Sequence, residues 1–277
     1  MGNGTTHLSS PRYCEAAPPA SIAKWVEAIW WIRGTVSDGI HWHDVLPDGC
    51  ADWIVSADSR GVESVFVGSM TRRLPVPMRG RVNSFGIRFR PGALAGVVKA
   101  PMAEMRDCRL PFGYAMPLPV NDGGWLADAV ADGATPRTLV KLATQLLARW
   151  HGLRGADHGA ARAVRAVGAF AARHEDMTVA QIAASAGMSV RTLRRVFDLA
   201  VGVSPKFFAR VLRLQEVLAV MEAERAAMDW ADVAGRAGFA DQAHLVREFR
   251  EFTGRTPTAY WAALKNGRFL QYGASRV

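Results

Sequence analysis

The sequence predicts an α+β chain with a β-rich amino-terminal half and an all-α carboxyl-terminal domain, the latter holding two helix-turn-helix units joined by a central helix. Three observations predict it. Up to about residue 110, short apolar runs are separated by Gly, Pro, Asp and Ser, the pattern of strands and turns. Beyond it, apolar residues recur at helical spacing. In the last third, one motif with a glycine corner occurs twice.

Composition bounds the reading. At 277 residues there is room for two domains, and 49% hydrophobic against 21% charged residues argues for packed cores rather than disorder. No run reaches the ~18 apolar residues of a membrane span, so no membrane partner is expected. Residues 1–20 lack the apolar core of a secretory signal. Gly2 fits a bare myristoylation pattern and Asn3-Gly4-Thr5 a glycosylation acceptor, both short enough to arise by chance. Cys14, Cys50 and Cys108 are odd in number and widely spaced, which suits reduced thiols and a cytoplasmic location. A net charge of +9 points to an anionic partner. Residues 157–277 hold 17 Lys/Arg against 12 Asp/Glu and the rest 17 against 13, so charge alone does not locate the surface.

The strands come first. Ala51-Asp52-Trp53-Ile54-Val55 and Val65-Phe66-Val67 are bounded by Pro47-Asp48-Gly49, Asp58-Ser59-Arg60-Gly61 and Gly68-Ser69, and the alternating run from Asn83 stops at Pro91-Gly92. A β-sandwich or small barrel would close such strands. After Pro91-Gly92 a short helix is expected over 93–99, and another starting within 101–105. A Pro/Gly-rich connection occupies 111–124. Thr135-Pro136 then starts a helix, along which Leu139, Leu142, Leu146 and Trp150 share a face until Gly152. Those apolar residues suit a homodimer surface and equally suit packing within the domain. Residues 154–159 read as a linker. The expected units are therefore 1–110, 111–158 and 159–265.

The duplicated motif carries the functional argument. Ile182-Ala183 precedes Gly187-Met188-Ser189 and then Leu193 and Phe197; Val233-Ala234 precedes Gly238-Phe239 and then Leu245 and Phe249. Two steeply crossing helices need an alanine where their axes approach, a glycine to turn the chain, and an apolar plug at the corner. Ser189 is a good cap for the second helix of the first corner. Gly202-Val203-Ser204-Pro205 and Gly254-Arg255-Thr256-Pro257 end the two units. The corner glycines are 51 residues apart and the ending glycines 52, which places one extra residue in the second recognition segment. Between the corners, Phe207, Val211, Leu214, Leu218 and Met221 form the apolar stripe of a connecting helix. Recognition helices in successive major grooves on one face of DNA must lie about 34 Å apart, and a stiff connector with an imperfect spacing would oblige the duplex to bend.

On the first recognition helix Arg191, Arg194 and Arg195 share a face, suited to guanine O6 and N7. Thr192 suits a phosphate. An ordinary solvated basic face would carry the same arginines, but the corner aims this one outward at a groove. On the second helix Gln242 suits adenine, Ala243 and Arg247 share the outward face, and His244 suits either a phosphate or a plain surface position.

Taken together these residues resemble the DNA-binding module of the AraC/XylS family of bacterial transcription regulators, over residues 160–261. The carriers are Ile182-Ala183, Gly187-Met188-Ser189, Leu193, Phe197, Gly202-x-Ser204-Pro205, Arg213-Leu214, Gly238-Phe239, Arg247, Phe249 and Gly254-x-Thr256-Pro257. The resemblance implies binding to double-stranded promoter DNA, usually with activation through contact with RNA polymerase, and no enzymatic activity. It places base contacts on Arg191, Arg194, Arg195, Gln242, Ala243 and Arg247. Val217, Ala243 and Leu245 depart from the family pattern, and Ala243 leaves the second helix poorer in base donors.

The amino-terminal half resembles the β-rich sensor half of some of these regulators, through Leu46-Pro47-Asp48-Gly49-Cys50-Ala51-Asp52 and Phe85-Gly86-Ile87-Arg88-Phe89-Arg90-Pro91-Gly92. That implies a cupin-like domain for a small-molecule effector. Trp31, Trp42 and Trp53 are the candidates to line its pocket, against the plainer reading of most tryptophans as core. His41 and His43 point the same way on a strand and are candidates beside them. Asp48 or Cys50 would complete a metal centre, but no second histidine motif supports one, and neither metal nor cofactor is expected. The rival readings are a cupin-type metalloenzyme with a fused helical domain, and a constitutive regulator whose amino-terminal half only dimerises.

Overall fold

A computed structural model describes residues 11–265 except 96, 99, 116–123, 154–157, 173–176 and 225–227, and no side chains over 150–163. The Gly2 and Asn3 patterns, the middle of the 111–124 connection and most of the expected linker thus lie outside the described residues. Six strands form one antiparallel sheet: β1 (Arg12–Ala16), β2 (Val26–Val45), β3 (Ala51–Asp58), β4 (Gly61–Val67), β5 (Leu74–Phe89) and β6 (Arg109–Pro111), in the order β1-β2-β5-β3-β4-β6. The expected sandwich or barrel is thus a single continuous sheet among the described residues. The strands expected to be short include two long ones, the 20-residue β2 and the 16-residue β5. Their ladder is interrupted between Val26 and Ala28 and between Val36 and His41, where irregular pairing lets a long strand bend.

Alternation gives the sheet two faces. Ile29, Trp53, Val55, Phe85, Ile87 and Phe89 form one core with α2 (Gly124–Ala131) and α3 (Pro136–Leu153). Leu139 and Leu146 are fully buried there, so they pack within this unit. The opposite face carries Tyr13, Trp30, Ile32, Met78 and Val82. A 3-10 helix (Met102–Met105) precedes β6 along the chain and the four-residue α1 (Phe112–Ala115) follows it. The helix expected over 93–99 is instead a series of turns closed by bonds such as Ala93 N–H to Arg90 O and Val97 N–H to Leu94 O. Its apolar residues are divided between two cores, Ala93, Leu94 and Val97 in that of the sheet and Ala95 in that of the first corner.

The remaining helices are α4 (His158–Ala171), α5 (Val179–Ser185), α6 (Val190–Ala200), α7 (Pro205–Ala223), α8 (Trp230–Arg236), α9 (Gln242–Thr253) and α10 (Pro257–Lys265). Each corner has its own apolar core. The first joins Ile182, Ala183, Leu193 and Phe197 to Phe170 of α4 and Phe208 of α7; the second joins Val233, Ala234, Leu245 and Phe249 to α7 and α10. Along α7 the buried residues are Pro205, Phe208, Val211, Leu214, Val217, Val220 and Met221, while Phe207 and Leu218 of the expected stripe are half-buried. A helix wedged between two cores buries more than one face. Val217, a departure from the family pattern, is fully buried in the second core.

The two halves interlock. The turn Leu46-Pro47-Asp48-Gly49 between β2 and β3 rests on α7: Leu46 belongs to the second corner's core, and Gln215 Nε2 donates to Pro47 O at 2.6 Å. Gly49 lies so close to the Phe208 ring that a Cβ there would sit 2.3 Å from it. Among the described residues no helix is long and apolar enough to cross a membrane.

Candidate nucleic-acid interface

The two corners are built from local signals. Thr178 caps α5 in a reciprocal box with Gln181, and Asp229 caps α8. Gly187 and Gly238 turn the chain at φ +65° and +72°, a conformation that side chains with a Cβ rarely adopt. Ser189 then accepts from Thr192 N–H at 3.1 Å to start α6, and Asp241 accepts from His244 N–H at 2.6 Å to start α9.

These caps are 52 residues apart whereas the glycines are 51 apart, so the extra residue sits at Ala240, in the turn before α9 rather than inside the recognition helix. Arg195 therefore matches Arg247, Arg191 matches Ala243 and Thr192 matches His244.

Leu193 and Phe197 of α6 are fully buried, and Arg191, Thr192, Arg194 and Arg195 face solvent. Thr192 is also engaged locally, its Oγ1 lying 2.9 Å from Ser189 Oγ. On α9, Leu245 and Phe249 are buried, while Gln242, Ala243, Arg247 and Arg250 are exposed. The structure thus brings Arg191, Arg194 and Arg195 onto one outward face and Gln242, Ala243 and Arg247 onto another. His244 is half-buried: its Nδ1 accepts from Ala240 N–H at 3.4 Å, its ring stands edge-on to Phe239, and Nε2 lies 3.4 Å from Glu248 Oε1.

Glu248 anchors α9 to α7. It accepts from Arg210 Nε at 2.9 Å and pairs with Arg213 Nη2 at 3.3 Å, while Arg210 also reaches Glu251 at 2.5 Å. The guanidinium groups hold the Glu248 carboxyl below its ordinary range against the opposing effect of burial. Arg210 lies against the rings of Phe207 and Phe252, and Arg213 against Phe239. Sequence reasoning missed this clamp because Arg210 and Glu248 are 38 residues apart; only the His244–Glu248 spacing of four was a readable signal.

The effector candidates fall on two faces of the sheet. Trp31 and Trp53 line the side covered by α2 and α3. Trp53 is buried, stacked on Phe112 at 4.3 Å, with Nε1 donating to Ser64 Oγ. Trp42 is 48% exposed at the far end of β2. His43 is buried on the opposite face, stacked with Tyr13, and its pKa is pushed down to about 4 by burial, then by Arg88 and His41. Close by, Arg88 pairs with Asp48 at 3.1 Å and with Glu15 and Asp52 at 3.6 Å. Burial in that cluster pushes Asp52 up to about 6 despite Arg88, and Trp30 Nε1 donates to it at 2.7 Å. Among the described residues no three His, Cys, Asp or Glu side chains are grouped to hold a metal ion.

Two family models match. Residues 182–263 match a helix-turn-helix domain and residues 14–111 a domain of unknown function (DUF6597). The transcriptional activator NphR of Rhodococcus sp is 35% identical over 85 residues, 31% of this chain. The match spans only 24% of that relative's length. Among solved structures, the DNA-binding domain of the global transcriptional factor AdpA, in complex with a target DNA, is 31% identical. It aligns over 39% of this chain and 96% of its own, with a TM-score of 0.35. ToxT from Vibrio cholerae is 11% identical over 84% of this chain and 97% of its own, with a TM-score of 0.45.

Proposed function

This chain carries the DNA-binding domain of the AraC/XylS family of helix-turn-helix regulators, and from that premise we propose that the protein is a sequence-specific transcriptional activator whose amino-terminal half responds to a small-molecule effector. The observation that carries the DNA-binding part is the outward arginine face of α6, mounted on a helix whose other face is sealed in the first corner's core. Arg191, Arg194 and Arg195 read bases from α6, and Thr192 holds a phosphate. Gln242, Ala243 and Arg247 face the neighbouring groove from α9, with His244 beside the backbone. With Ala243 opposite Arg191 in the repeat, the first helix supplies most of the discrimination. Residues 159–265 form the DNA-binding unit, residues 1–110 the sensor and residues 111–158 the connector between them.

The effector reading is supported by the family resemblance; in it Trp31 and Trp53, which share one face of the sheet, serve an apolar ligand. His41 and His43 serve the other face, and Trp42 its exposed end. RNA polymerase and a second copy of the chain are the proposed protein partners.

The test is selection of genomic fragments by the purified full chain, followed by binding of a selected fragment across a salt series. A regulator enriches discrete sites, and its affinity falls steeply with salt as counterions are released. Arg195→Ala should weaken a selected site by about 1–3 kcal/mol while binding to unrelated DNA changes little. Equal losses on both would reduce Arg195 to a phosphate contact. Stoichiometric iron or zinc in the purified protein, with no enrichment of sites, would favour the metalloenzyme reading.

A further inference from the structure

The carboxyl ends of the two recognition helices are tied to the same short loop of the sheet. Residues 68–73 connect β4 to β5. At one end of this loop Ser69 Oγ donates to Val201 O at 2.5 Å, just past the last turn of α6. Four residues on, Arg73 N–H donates to Phe252 O at 3.2 Å, in the last turn of α9. Both acceptors are terminal carbonyls, which a helix cannot satisfy from within. Four peptide steps span at most about 14 Å, so the loop limits how far apart these two helix ends can stand.

The loop is itself held rigid. Thr71 donates to the Asp107 carboxylate twice, from N–H at 2.7 Å and from Oγ1 at 2.6 Å. Asp107 N–H returns a bond to Ser69 O at 3.1 Å, and Gly68 N–H donates to Cys108 O. Asp107 adopts φ +56° to do so, Ser69 is 1% exposed, and Met70 is buried among Val65 and Val67. Arg106 Nη1 adds a longer contact to Gly202 O at 3.4 Å.

We propose that this loop is a strap that sets the spacing and relative orientation of the two recognition helices, with Ser69, Arg73 and Asp107 as positioning residues for the choice of half-site separation. The inference rests on the DNA-binding reading above. Two small units joined by one helix can swivel about it, and α7 is the covalent connection between them. The strap supplies a second attachment on the sheet side, so rotation about α7 must break Ser69–Val201 or Arg73–Phe252. Half-sites displaced by one base pair are turned by roughly a tenth of a helical repeat about the duplex, and a strapped pair of helices cannot follow.

The test uses the full-length chain carrying Ser69→Ala and Asp107→Gly, the glycine chosen because it accepts the positive φ, with Asp107→Asn as the conservative rescue. Spin labels on Ala184→Cys and Arg236→Cys, both exposed, report the distance between the corners without DNA. Cys14 and Cys108 are replaced by Ser, while Cys50 is buried and its thiol pushed up in pKa. Strapped protein and Asp107→Asn should give one narrow distance distribution and the double variant a broad one. Identical distributions would overturn the strap. The second readout is a set of duplexes whose half-sites, selected by the unaltered chain, are separated by one base pair more or fewer. Preference for the native spacing should fall about two- to tenfold, the effect of losing a hydrogen bond, and an unchanged preference refutes the proposal. If the unaltered chain selects no sequence, the DNA-binding reading fails by itself, and the distance measurement still decides whether the loop restrains the corners.

Discussion

Arg88 compensates three carboxylates on the far face of the sheet, and its side chain is only 9% exposed. The neighbouring titrations oppose each other. His43 has a native pKa of about 4, below its ordinary 6.5, so the unfolded chain binds more protons between these values and stability rises with pH there. Asp52 sits at about 6, above its ordinary 3.8, so the native state binds more protons between those values and stability falls as pH rises. His43→Asn should therefore leave a chain that loses more stability, or gains less, than the unaltered protein between pH 4.5 and 6.5. Asp52→Asn should shift the slope the opposite way, each by at most about 1.4 kcal/mol per pH unit. Urea midpoints at the two pH values read this out, and parallel slopes for all three proteins would contradict it. At this scale the sequence was informative where burial follows helical period: the exposed Arg191, Arg194 and Arg195 alternate with buried Leu193 and Phe197. It allowed His244 a phosphate or a surface position and missed that the Glu248 beside it belongs to a clamp set by two arginines on another helix.

Equivalent positions in the repeat have diverged in their surroundings. Gly202 and Gly254 both end a recognition helix with positive φ, but Gly254 faces open space, whereas a Cβ on Gly202 would lie 2.7 Å from Met102 O. Gly254→Ala should cost about 1–2 kcal/mol of backbone strain. Gly202→Ala should cost a further 1–3 kcal/mol or so because the 3-10 helix must move away. Comparable midpoints for the two variants in chemical denaturation would mean that the 3-10 helix yields freely. Caps, corner glycines and the Pro205 and Pro257 starts were legible because each is a signal spanning three or four residues. The expected helix over 93–99 failed for the same locality: its apolar residues are spaced for a helix, but they are drawn one by one into cores, Ala93, Leu94 and Val97 toward the sheet and Ala95 toward the first corner.

Across the whole molecule the cores are shared between halves, since Leu46 of the sheet lies in the second corner's core and Ala95 in the first's. Unfolding should accordingly be one cooperative transition, with tryptophan fluorescence and far-ultraviolet circular dichroism coinciding. Leu46→Ala should lower the stability of that single transition by about 2–5 kcal/mol. Two separated transitions would show that the halves fold independently and that the strap joins them only loosely. The sequence by itself determined the duplicated corner, its outward arginines and the β-rich character of the first half, because these rest on interactions among residues close along the chain. Tertiary structure alone decided which sheet face each tryptophan occupies, where the extra turn residue acts, and that one loop meets both recognition helices. Ser69 and Val201 are 132 residues apart, and a hydrogen bond between a hydroxyl and a distant main-chain carbonyl leaves no pattern in either stretch of sequence.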